Sequence, residues 1–463
     1  MDVRVWIGVL FMVRLYHLDL APVDIHSYRQ GLTLGTAKCF LEVDWNIFRP
    51  RTILCDSRPG FEVMEFPLLN YTIFLLWKVF GEANWVFRLL GIAVASLGLW
   101  HFYKIALRFM LPKGALASAV LFGTSICFMY ARKAMPDVFS LSLVLTGISI
   151  GWDYLEKGRW WRLPLFAFFA GAGLLSKIPS AAAMVLLVVP FFDRRILLSR
   201  KVWFALFGAL AVGAMSAWYF VWIPWAEQAH HHSWFFHLPL RQAWYELWIK
   251  ASRYTEDRFV PDALQSRGAY VFLVLGIFFV FFRKNYALLA TWLLYSALFL
   301  VFMLQVGIVF CSHEYYVIPY LPMMALLAGF GLQQTLKHNG VFLAVLLALA
   351  VEAVWWKRGD FFPGAPEAPY TRLRAIVDQV VPAGAKVLAA GKSEPDPAML
   401  YNSGRLGWSE RRRALDTTWL NGEATVGLHY AIFYKTYLPV DTLPYPVLYE
   451  DSDFKIFKIK KEQ

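Results

Sequence analysis

Cysteine is scarce in this sequence. Among 463 residues there are four cysteines, and no two form a C-x-x-C pair, so the sequence has neither a dense disulfide framework nor the usual cysteine spacing of a zinc site. Cys39 and Cys55 lie in one predicted loop and could pair, but spacing alone does not establish the required geometry. These counts exclude a small fold held together by disulfide bonds.

Charged residues are also few. They make up 17% of the chain, and hydrophobic residues make up 58%. Soluble domains carry about 25% charged residues, so this composition excludes an ordinary soluble domain and predicts an integral membrane protein. The 20 tryptophans support the prediction, since amphipathic rings accumulate at membrane surfaces.

Acidic residues are outnumbered by basic ones. Lys and Arg together number 45 and Asp and Glu 33, which gives a net charge of +12. The cations lie mostly in short loops between apolar runs, without the interleaved aromatic residues that a groove for single-stranded nucleic acid needs. We therefore expect no nucleic-acid partner and interpret the cations as orientation signals and contacts to membrane lipids.

Eleven apolar runs are long enough, or nearly so, to cross a bilayer as helices. They occupy residues 3–18, 86–108, 115–131, 137–154, 162–176, 179–192, 202–222, 269–283, 286–310, 315–336 and 340–356. A twelfth run, 66–80, is short and contains Asn70 and Lys78, so we predict a helix in the membrane interface there. With this assignment the Lys- and Arg-rich short loops all fall on the cytoplasmic side, together with the N-terminus.

The same assignment divides the chain into two predicted domains. A membrane domain covers residues 1–356 and has two long outer loops, 17–85 and 223–268. The tail, 357–463, begins with a linker rich in Pro and Gly and then becomes richer in charge. We expect the tail to lie outside the cytoplasm.

The tail has the patterns of a small mixed domain. Residues 371–381 have the periodicity of an amphipathic helix, 385–391 are typical of a short buried strand, and 454–460 alternate as a strand does. The overall prediction is an α-helical membrane bundle followed by a small extracytoplasmic α/β domain.

The first outer loop carries a carboxylate next to a predicted helix start. Ser27 followed by Gln30 fits a capping box, so we predict a helix from Ser27 to about Glu42, with Asp24 in the loop before it. Asp24 could simply be solvated, as most loop carboxylates are. Loops nevertheless often carry function, which makes Asp24 a candidate.

Two further carboxylates begin predicted helices on the same side. Glu65 precedes the interfacial run, and Asp137 begins the fourth span. Both could serve only to stabilise the N-terminus of a helix, where a carboxylate is favourable. However, ionisable groups beside lipid-facing helices are costly, so three of them at one membrane surface are functional candidates.

Cations and aromatic residues occur at the same predicted surface. Lys177 lies in a tight turn, where it could extend to the lipid headgroups or bind a phosphate. Arg132 and His313 lie in other outer turns. Tyr315 and Tyr316 follow His313 and could belong to an aromatic belt at the interface.

Six motifs, taken in order, resemble those of the GT-C membrane glycosyltransferases. They are DIHSYRQ, EFPLLNY, FGEANWVFRLLG, ARKAMPD, LLSKIP and HEYYVIPYLP. The similarity is to the branch of protein O-mannosyltransferases and aminoarabinose transferases, and it extends over residues 1–340. Members of this family move a sugar from a polyprenyl-phosphate carrier to an acceptor outside the cytoplasm, with inversion at the anomeric carbon, and the resemblance implies that reaction here.

The resemblance also implies roles for individual residues. Asp24 matches the catalytic aspartate of the first loop, Glu65 the acidic residue before the interfacial helix, and Asp137 the acidic residue of the second outer loop. This chain has EFP where the aminoarabinose branch has Glu-Lys-Pro-Pro, so one expected phosphate contact is missing. Lys177 is therefore a stronger candidate for contact with the phosphate. His313 occupies the position where a cation often precedes the tyrosine pair in the family.

The residue types suit this chemistry independently of the family. A sugar phosphodiester has a good leaving group, so cations at the departing phosphate matter more than a strong acid. Lys177, Arg132 and His313 are the candidates for that charge. A hydroxyl acceptor needs a carboxylate base, for which Asp24 is the candidate, whereas a phosphate acceptor needs none and Asp24 would only orient it.

Other polar residues at this surface are candidates for binding. Asp137 and Glu65 could position the acceptor or hold a divalent metal ion, whereas the histidines at 230–232 have poor ligand geometry in a straight run. Four residues are candidates to contact the substrates: His26, Arg29, Tyr315 and Tyr316.

The sequence therefore predicts an inverting glycosyltransferase of the plasma membrane, acting on a protein, lipid or polysaccharide acceptor at the outer face. The alternative is a transporter of lipid-linked sugars, which should place its polar residues at mid-membrane on broken helices. A scaffold without catalysis would tolerate replacement of Asp24. The clustering of polar residues at the outer surface favours the enzyme.

Overall fold

The structure is a computed structural model that describes residues 2–54, 60–230 and 239–459. Cys55, His231 and His232 fall outside these residues, so the structure does not test whether Cys39 and Cys55 pair or how the histidine run is arranged. The chain separates into two compact units, each assembled from three stretches. The first unit is Met1–Tyr16, Leu89–Arg132 and Pro136–Gly359, and the second is His17–Arg88, Lys133–Met135 and Asp360–Gln463.

The first unit is helical. Its α-helices are α1 (Val3–Arg14), most of α4 (Asn84–Ala106), α5 (Pro112–Thr124), α6 (Cys127–Tyr130), α7 (Pro136–Lys157), α8 (Arg162–Ser176), α9 (Val188–Phe192), α10 (Leu198–Ala217), α11 (Ile223–His230), α12 (Leu240–Tyr245), α13 (Ser252–Phe259), α14 (Arg267–Phe282), α15 (Tyr286–Val306), α16 (Ile308–Ser312), α17 (Leu321–Thr335) and α18 (Asn339–Trp356). Short 3-10 or π segments also occur at Ile178–Leu187, Trp218–Trp222, Glu246–Lys250, Glu314–Tyr320 and Arg358–Phe361.

Six helical stretches of the described chain are long and apolar enough to cross a membrane. They are Asn84–Ala106, Pro136–Lys157, Leu198–His230, Tyr286–Val306, Glu314–Thr335 and Asn339–Trp356. Each overlaps one of the eleven predicted spans, and the remaining five predicted spans form shorter helices. The count of eleven crossings therefore stays a prediction. The helix that begins at Leu198 continues to His230, past residue 223, where the second long outer loop was expected to begin.

Small residues allow the helices of the first unit to pack closely. A Cβ atom on Gly147 of α7 would lie 2.7 Å from the backbone nitrogen of Ala170 on α8. Gly276 of α14 and Gly331 of α17 lie against each other's helix backbone in the same way. Lipid provides no hydrophobic force between helices, so such close backbone contact is a main source of association in membranes.

The second unit combines the first outer loop with a small α/β domain. Its elements are α2 (Ser27–Glu42), α3 (Leu68–Phe80), α19 (Tyr370–Val380), β1 (Val387–Ala390), α20 (Pro397–Asn402), β2 (Gly407–Trp408), α21 (Thr417–Ala424), β3 (Tyr430–Tyr434), β4 (Val447–Glu450) and β5 (Phe454–Lys458). The sheet order is β2-β1-β3-β5-β4, in which β2, β1 and β3 are parallel and β5 is antiparallel to both of its neighbours. This confirms the predicted helix α19, the predicted strands β1 and β5, and the small α/β domain.

The first outer loop packs directly on this domain. A Cβ atom on Gly31 of α2 would lie 2.7 Å from the backbone nitrogen of Ala398 on α20, so only glycine permits this approach. In addition, Leu54 forms an isolated parallel bridge with Gly407 of β2. The sequence predicted these regions separately, and the structure shows that they form one compact unit.

Candidate functional site

Asp24 lies in the loop before α2, a helix that covers its predicted range. The predicted capping box is wrong, because the N-cap residue is His26, which has a φ of 65° and makes no side-chain capping bond. The Ser27 hydroxyl donates instead to Glu367 Oε1 at 3.1 Å, and the Gln30 side-chain amide donates to the Asp24 carboxylate. Both side chains thus connect the helix to other parts of the second unit.

Two cations surround the buried carboxylate of Asp24. Arg88 Nη1 lies 3.5 Å from its Oδ2 atom, and Lys133 Nζ lies 3.4 Å from its Oδ1 atom. Lys133 Nζ also lies 3.5 Å from Oδ2 of Asp360. All four side chains are buried, so each charge depends on these partners for compensation.

The same cations fix the backbone of the loop. Arg88 Nη2 donates to the carbonyl oxygens of Leu20 at 2.9 Å and Ala21 at 3.2 Å. Lys133 Nζ donates to the Ile25 carbonyl oxygen at 3.0 Å. Because the carbonyls on both sides of Asp24 are held, its carboxylate has a defined direction.

Sequence reasoning missed Arg88 and Asp360. One signal was available for Arg88, since it is a charged residue inside the apolar run 86–108, and such residues usually have a specific partner. Asp360 follows the last predicted span, and nothing in its local sequence indicates that it reaches Lys133.

Glu65 forms a buried ion pair with Arg29 of α2. It is not a helix cap, because α3 begins at Leu68 after the N-cap residue Pro67, which makes no side-chain capping bond. Nearby, burial raises the pKa of Glu62 to about 7, although the positive charge of Arg29 opposes the shift. Arg29, predicted to contact substrates, therefore lies between acidic groups of its own loop.

The first unit brings together a second set of predicted residues. Asp137 lies in the first turn of α7, and its Oδ1 atom is 3.8 Å from Lys177 Nζ, just after α8. The same ammonium lies 6.0 Å from the ring centres of both Tyr315 and Tyr316. A carboxylate and two aromatic faces thus border one cation, an arrangement that attracts positive charge electrostatically.

His313 belongs to the same set. Its ring stacks on Tyr315 with the ring centres 5.1 Å apart, and Tyr315 lies 4.8 Å from Tyr316. Glu314, which sequence reasoning did not single out, accepts a hydrogen bond of 2.9 Å from Lys357 Nζ. His313 is therefore in direct contact with the tyrosine pair, Tyr315 and Tyr316.

Arg132 has a different environment. It is buried and donates to the carbonyl oxygen of Tyr16 at the end of α1. Its role at a phosphate stays a prediction. The predicted site residues divide between the units, with Asp24, His26, Arg29 and Glu65 in the second unit and Arg132, Asp137, Lys177, His313, Tyr315 and Tyr316 in the first.

No group of three or more His, Cys, Asp or Glu side chains that could hold a metal ion occurs among residues 2–54, 60–230 and 239–459. A divalent-ion role for Asp137 or Glu65 thus lacks a ligand set in these residues.

Comparison with known proteins supports the resemblance seen in the motifs. Residues 58–219 match the model of the dolichyl-phosphate-mannose-protein mannosyltransferase family. A comparison with curated proteins gives no match.

Solved structures match over nearly the whole chain. ArnT from Cupriavidus metallidurans in the apo state has a TM-score of 0.61 at 13% identity, covering 98% of this chain and 97% of that one. ArnT bound to undecaprenyl phosphate has a TM-score of 0.60 at 14% identity, covering 99% and 97%. The archaeal oligosaccharyltransferase AglB from Archaeoglobus fulgidus, in complex with an inhibitory peptide and a dolichol-phosphate, has a TM-score of 0.54 at 9% identity, covering 92% and 69%.

At such low identity these matches establish the fold alone. This chain is an integral membrane protein with the fold of the GT-C glycosyltransferases.

Proposed function

We propose that this protein is an inverting glycosyltransferase that takes a sugar from a polyprenyl-phosphate carrier. The observation that carries the proposal is the buried carboxylate of Asp24, held by Arg88 and Lys133 in the first long loop of a chain with this fold. Solved structures of this fold were obtained with undecaprenyl phosphate or a dolichol-phosphate, which supports a polyprenyl-phosphate donor. The acceptor site faces outward from the plasma membrane, the N-terminus is cytoplasmic and the C-terminal domain is extracytoplasmic.

Asp24 accepts the proton of an acceptor hydroxyl in this proposal. The acceptor oxygen attacks the anomeric carbon, and the bond from that carbon to the phosphate oxygen breaks with its electron pair leaving on the polyprenyl phosphate. Attack from the opposite face inverts the anomeric configuration. Arg88 and Lys133 compensate the negative charge of the buried carboxylate, and the hydrogen bond from Gln30 orients it. With a phosphate acceptor no proton moves, and Asp24 orients the acceptor only.

Lys177 supplies positive charge for the departing phosphate. Its ammonium has contacts with Asp137 and two tyrosine rings but keeps a partly exposed side chain. A cation in a site of low dielectric stabilises charge that develops during bond cleavage. His313 and Arg132 are further candidates for this charge, and Asp137 positions Lys177.

The remaining predicted residues contact the substrates or position those that do. Tyr315 and Tyr316 border Lys177, and we assign them to the donor. His26 and Arg29 lie at the start of α2 beside Asp24, and we assign them to the acceptor. Glu65 orients Arg29 through their ion pair.

The test is sugar transfer from a panel of polyprenyl-phosphate sugars by purified protein in detergent, with wild type beside Asp24→Asn. Transfer by the wild type that is lost in an equally folded variant would support both the reaction and the base. Unchanged transfer by the variant would support the glycosyltransferase activity but would show that Asp24 is not the catalytic base. Movement of intact lipid-linked sugar across vesicles, without transfer, would instead favour the transporter.

A further inference from the structure

A cavity of about 220 Å³ lies in the second unit, and part of its lining comes from the residues that follow Asp24 in sequence. Two parts of the unit line it, the start of α2 and the C-terminal domain. The lining residues are His26, Ser27, Tyr28, Glu367, Lys392, Ser393 and Asp396.

The cavity lies where the sheet topology favours a binding site. Lys392, Ser393 and Asp396 belong to the loop that leaves the carboxyl end of β1. From β1 the chain proceeds to β2 on one side, and it later returns to β3 on the other side, with all three strands parallel. In open α/β sheets, ligands bind in the crevice outside the carboxyl ends of strands at such a change of direction.

The polar groups of the cavity are held in place by hydrogen bonds. Glu367 Oε1 accepts from Lys392 Nζ at 2.8 Å and from the Ser27 hydroxyl at 3.1 Å. Asp396 Oδ2 accepts from the Tyr370 hydroxyl at 2.8 Å and from the backbone N–H of Lys392 at 2.9 Å. Glu367 and Asp396 are themselves buried. Such fixed groups lose little freedom when a ligand binds, which favours recognition.

The lining of the cavity contains both hydrogen-bond donors and acceptors. Lys392 offers N–H donors, Ser393 a hydroxyl that both donates and accepts, and Glu367 carboxylate oxygens. The hydroxyl groups of a sugar ring also donate and accept, so they match this mixture. The Tyr28 side chain is 41% exposed and provides an aromatic face on which the apolar face of a sugar ring can pack.

The size of the cavity also favours a single ring. Pockets for drug-sized ligands are about 300–1,000 Å³, so this smaller cavity suits a ligand of one ring. An extended peptide would instead need a strand edge or a longer groove with main-chain partners.

The cavity and Asp24 share one segment of chain. His26, Ser27 and Tyr28 follow Asp24 within four residues, and Gln30 on the same helix donates to the Asp24 carboxylate. A ligand in the cavity therefore contacts the segment that positions the proposed base.

We propose that this cavity binds one sugar ring of the acceptor, so that the acceptor is a saccharide-bearing molecule. The proposal that the cavity binds a sugar ring does not depend on the proposed function. The assignment of that ring to the acceptor rests on the proposed function.

The test uses saturation-transfer NMR on the full-length protein in lipid nanodiscs. The probes are methyl pyranosides of glucose, galactose, mannose and N-acetylglucosamine. At least one probe should receive saturation from the wild type, and its signal should fall about fivefold in Tyr28→Ala, the loss expected when a ring contact is removed. Ser393→Ala, which changes only a hydroxyl, should weaken the same signal. Phe48→Ala removes another exposed aromatic side chain of the same unit, outside the cavity, and should leave the signal unchanged.

Absence of saturation for every pyranoside would overturn the proposal, and so would equal signals in wild type, Tyr28→Ala and Ser393→Ala. Sugar transfer measured on the same preparations separates this proposal from the previous one. Sugar transfer without pyranoside binding would overturn the proposal that the cavity binds a sugar ring, and it would support the proposed glycosyltransferase activity. Pyranoside binding without transfer from any donor would support the sugar-binding cavity and overturn its assignment to the acceptor.

Discussion

Asp24 and Lys177 are both charged residues predicted to act in the reaction, but their surroundings differ. The Asp24 side chain is 2% exposed, and two buried cations lie 3.4 and 3.5 Å from its oxygens. The Lys177 side chain is 15% exposed, lies 3.8 Å from Asp137 and is bordered by two tyrosine rings at 6.0 Å. Asp24 is therefore held by shorter contacts with charged groups, whereas the contacts of Lys177 are longer.

The difference fits the two chemical tasks. A base must point at one proton, and a fixed carboxylate needs no reorganisation at the moment of reaction. A cation for a lipid-linked phosphate must follow a mobile group, and a lysine on a flexible four-carbon stem can do so. The comparison teaches that burial of a charge favours orientation, whereas partial exposure favours contact with a ligand. It can be tested with four sets of variants.

The largest expected effect belongs to the base. Asp24→Asn should lower kcat for sugar transfer by about 10²- to 10⁴-fold, the usual contribution of a general base. Asp360→Asn is the matched control, because Asp360 contacts the same Lys133 but has no proposed role at the substrate. It should lower kcat by less than about tenfold. Equal losses in the two variants would show that charge balance around Lys133, rather than proton transfer, sets the rate.

The next largest effect is on stability. Lys133→Met leaves Asp24 and Asp360 buried without this cation, so the free energy of unfolding should fall by about 3–5 kcal/mol. Lys177→Met should cost about 1 kcal/mol or less, because its contact with Asp137 is longer and its side chain is more exposed. Denaturant unfolding monitored by tryptophan fluorescence measures both. Similar losses would remove the distinction between a fixed and an adaptable charge.

Lys177 should matter more for catalysis than for stability. Lys177→Gln should lower kcat/KM for the polyprenyl-phosphate sugar by about 10²- to 10³-fold, the typical loss when one group that stabilises developing charge is removed. Lys177→Arg keeps the charge and should recover part of the rate. Arg159→Gln removes an exposed cation that precedes the opposite end of α8, and it should have no effect. A normal kcat/KM in Lys177→Gln would show that a cation other than Lys177 stabilises the departing phosphate.

The residues differ in how far sequence alone could place them. The range of α2, the helix and two strands of the C-terminal domain and the contact of His313 with the tyrosine pair follow from local patterns, and the structure contains them. The ion pairs of Asp24 join segments that are distant in sequence, and no local pattern encodes them. The capping box failed for the same reason, because Glu367 competes for the Ser27 hydroxyl from the far end of the chain.

The number of membrane crossings shows a second limit. Hydropathy finds apolar runs, but it does not show which helical geometry a run adopts. Residues 179–192 were predicted as one span, and the chain there is one continuous apolar helical stretch, Ile178–Phe192, of which Ile178–Leu187 has 3-10 geometry. Whether this stretch crosses the membrane stays a prediction.

The smallest expected effect concerns Glu62, a carboxylate of the first outer loop that interacts with Arg29 and Glu65. Burial raises its pKa from 4.5 to about 7, Arg29 and a hydrogen bond from Thr52 oppose the shift, and Glu65 adds to it. Burial raises the pKa of Tyr28, and the charge of Glu62 adds to that shift. The folded state therefore keeps a proton that the unfolded state has already released between these two pH values. The contribution of Glu62 to stability should therefore be largest at acid pH, fall as pH rises from about 4.5 to about 7, and then level off.

Glu62→Gln should remove this fall. The wild type should lose about 1–2 kcal/mol relative to Glu62→Gln between pH 5 and pH 8, less than the full shift implies because Glu62 is only partly shielded from solvent. Unfolding midpoints at a fixed scan rate measure the difference, with Asp19→Asn as an exposed carboxylate of the same unit that should keep the slope of the wild type. If wild type and Glu62→Gln shared one slope, Glu62 would be ionised in the folded protein, and its loop would then hold two carboxylates for the single guanidinium of Arg29.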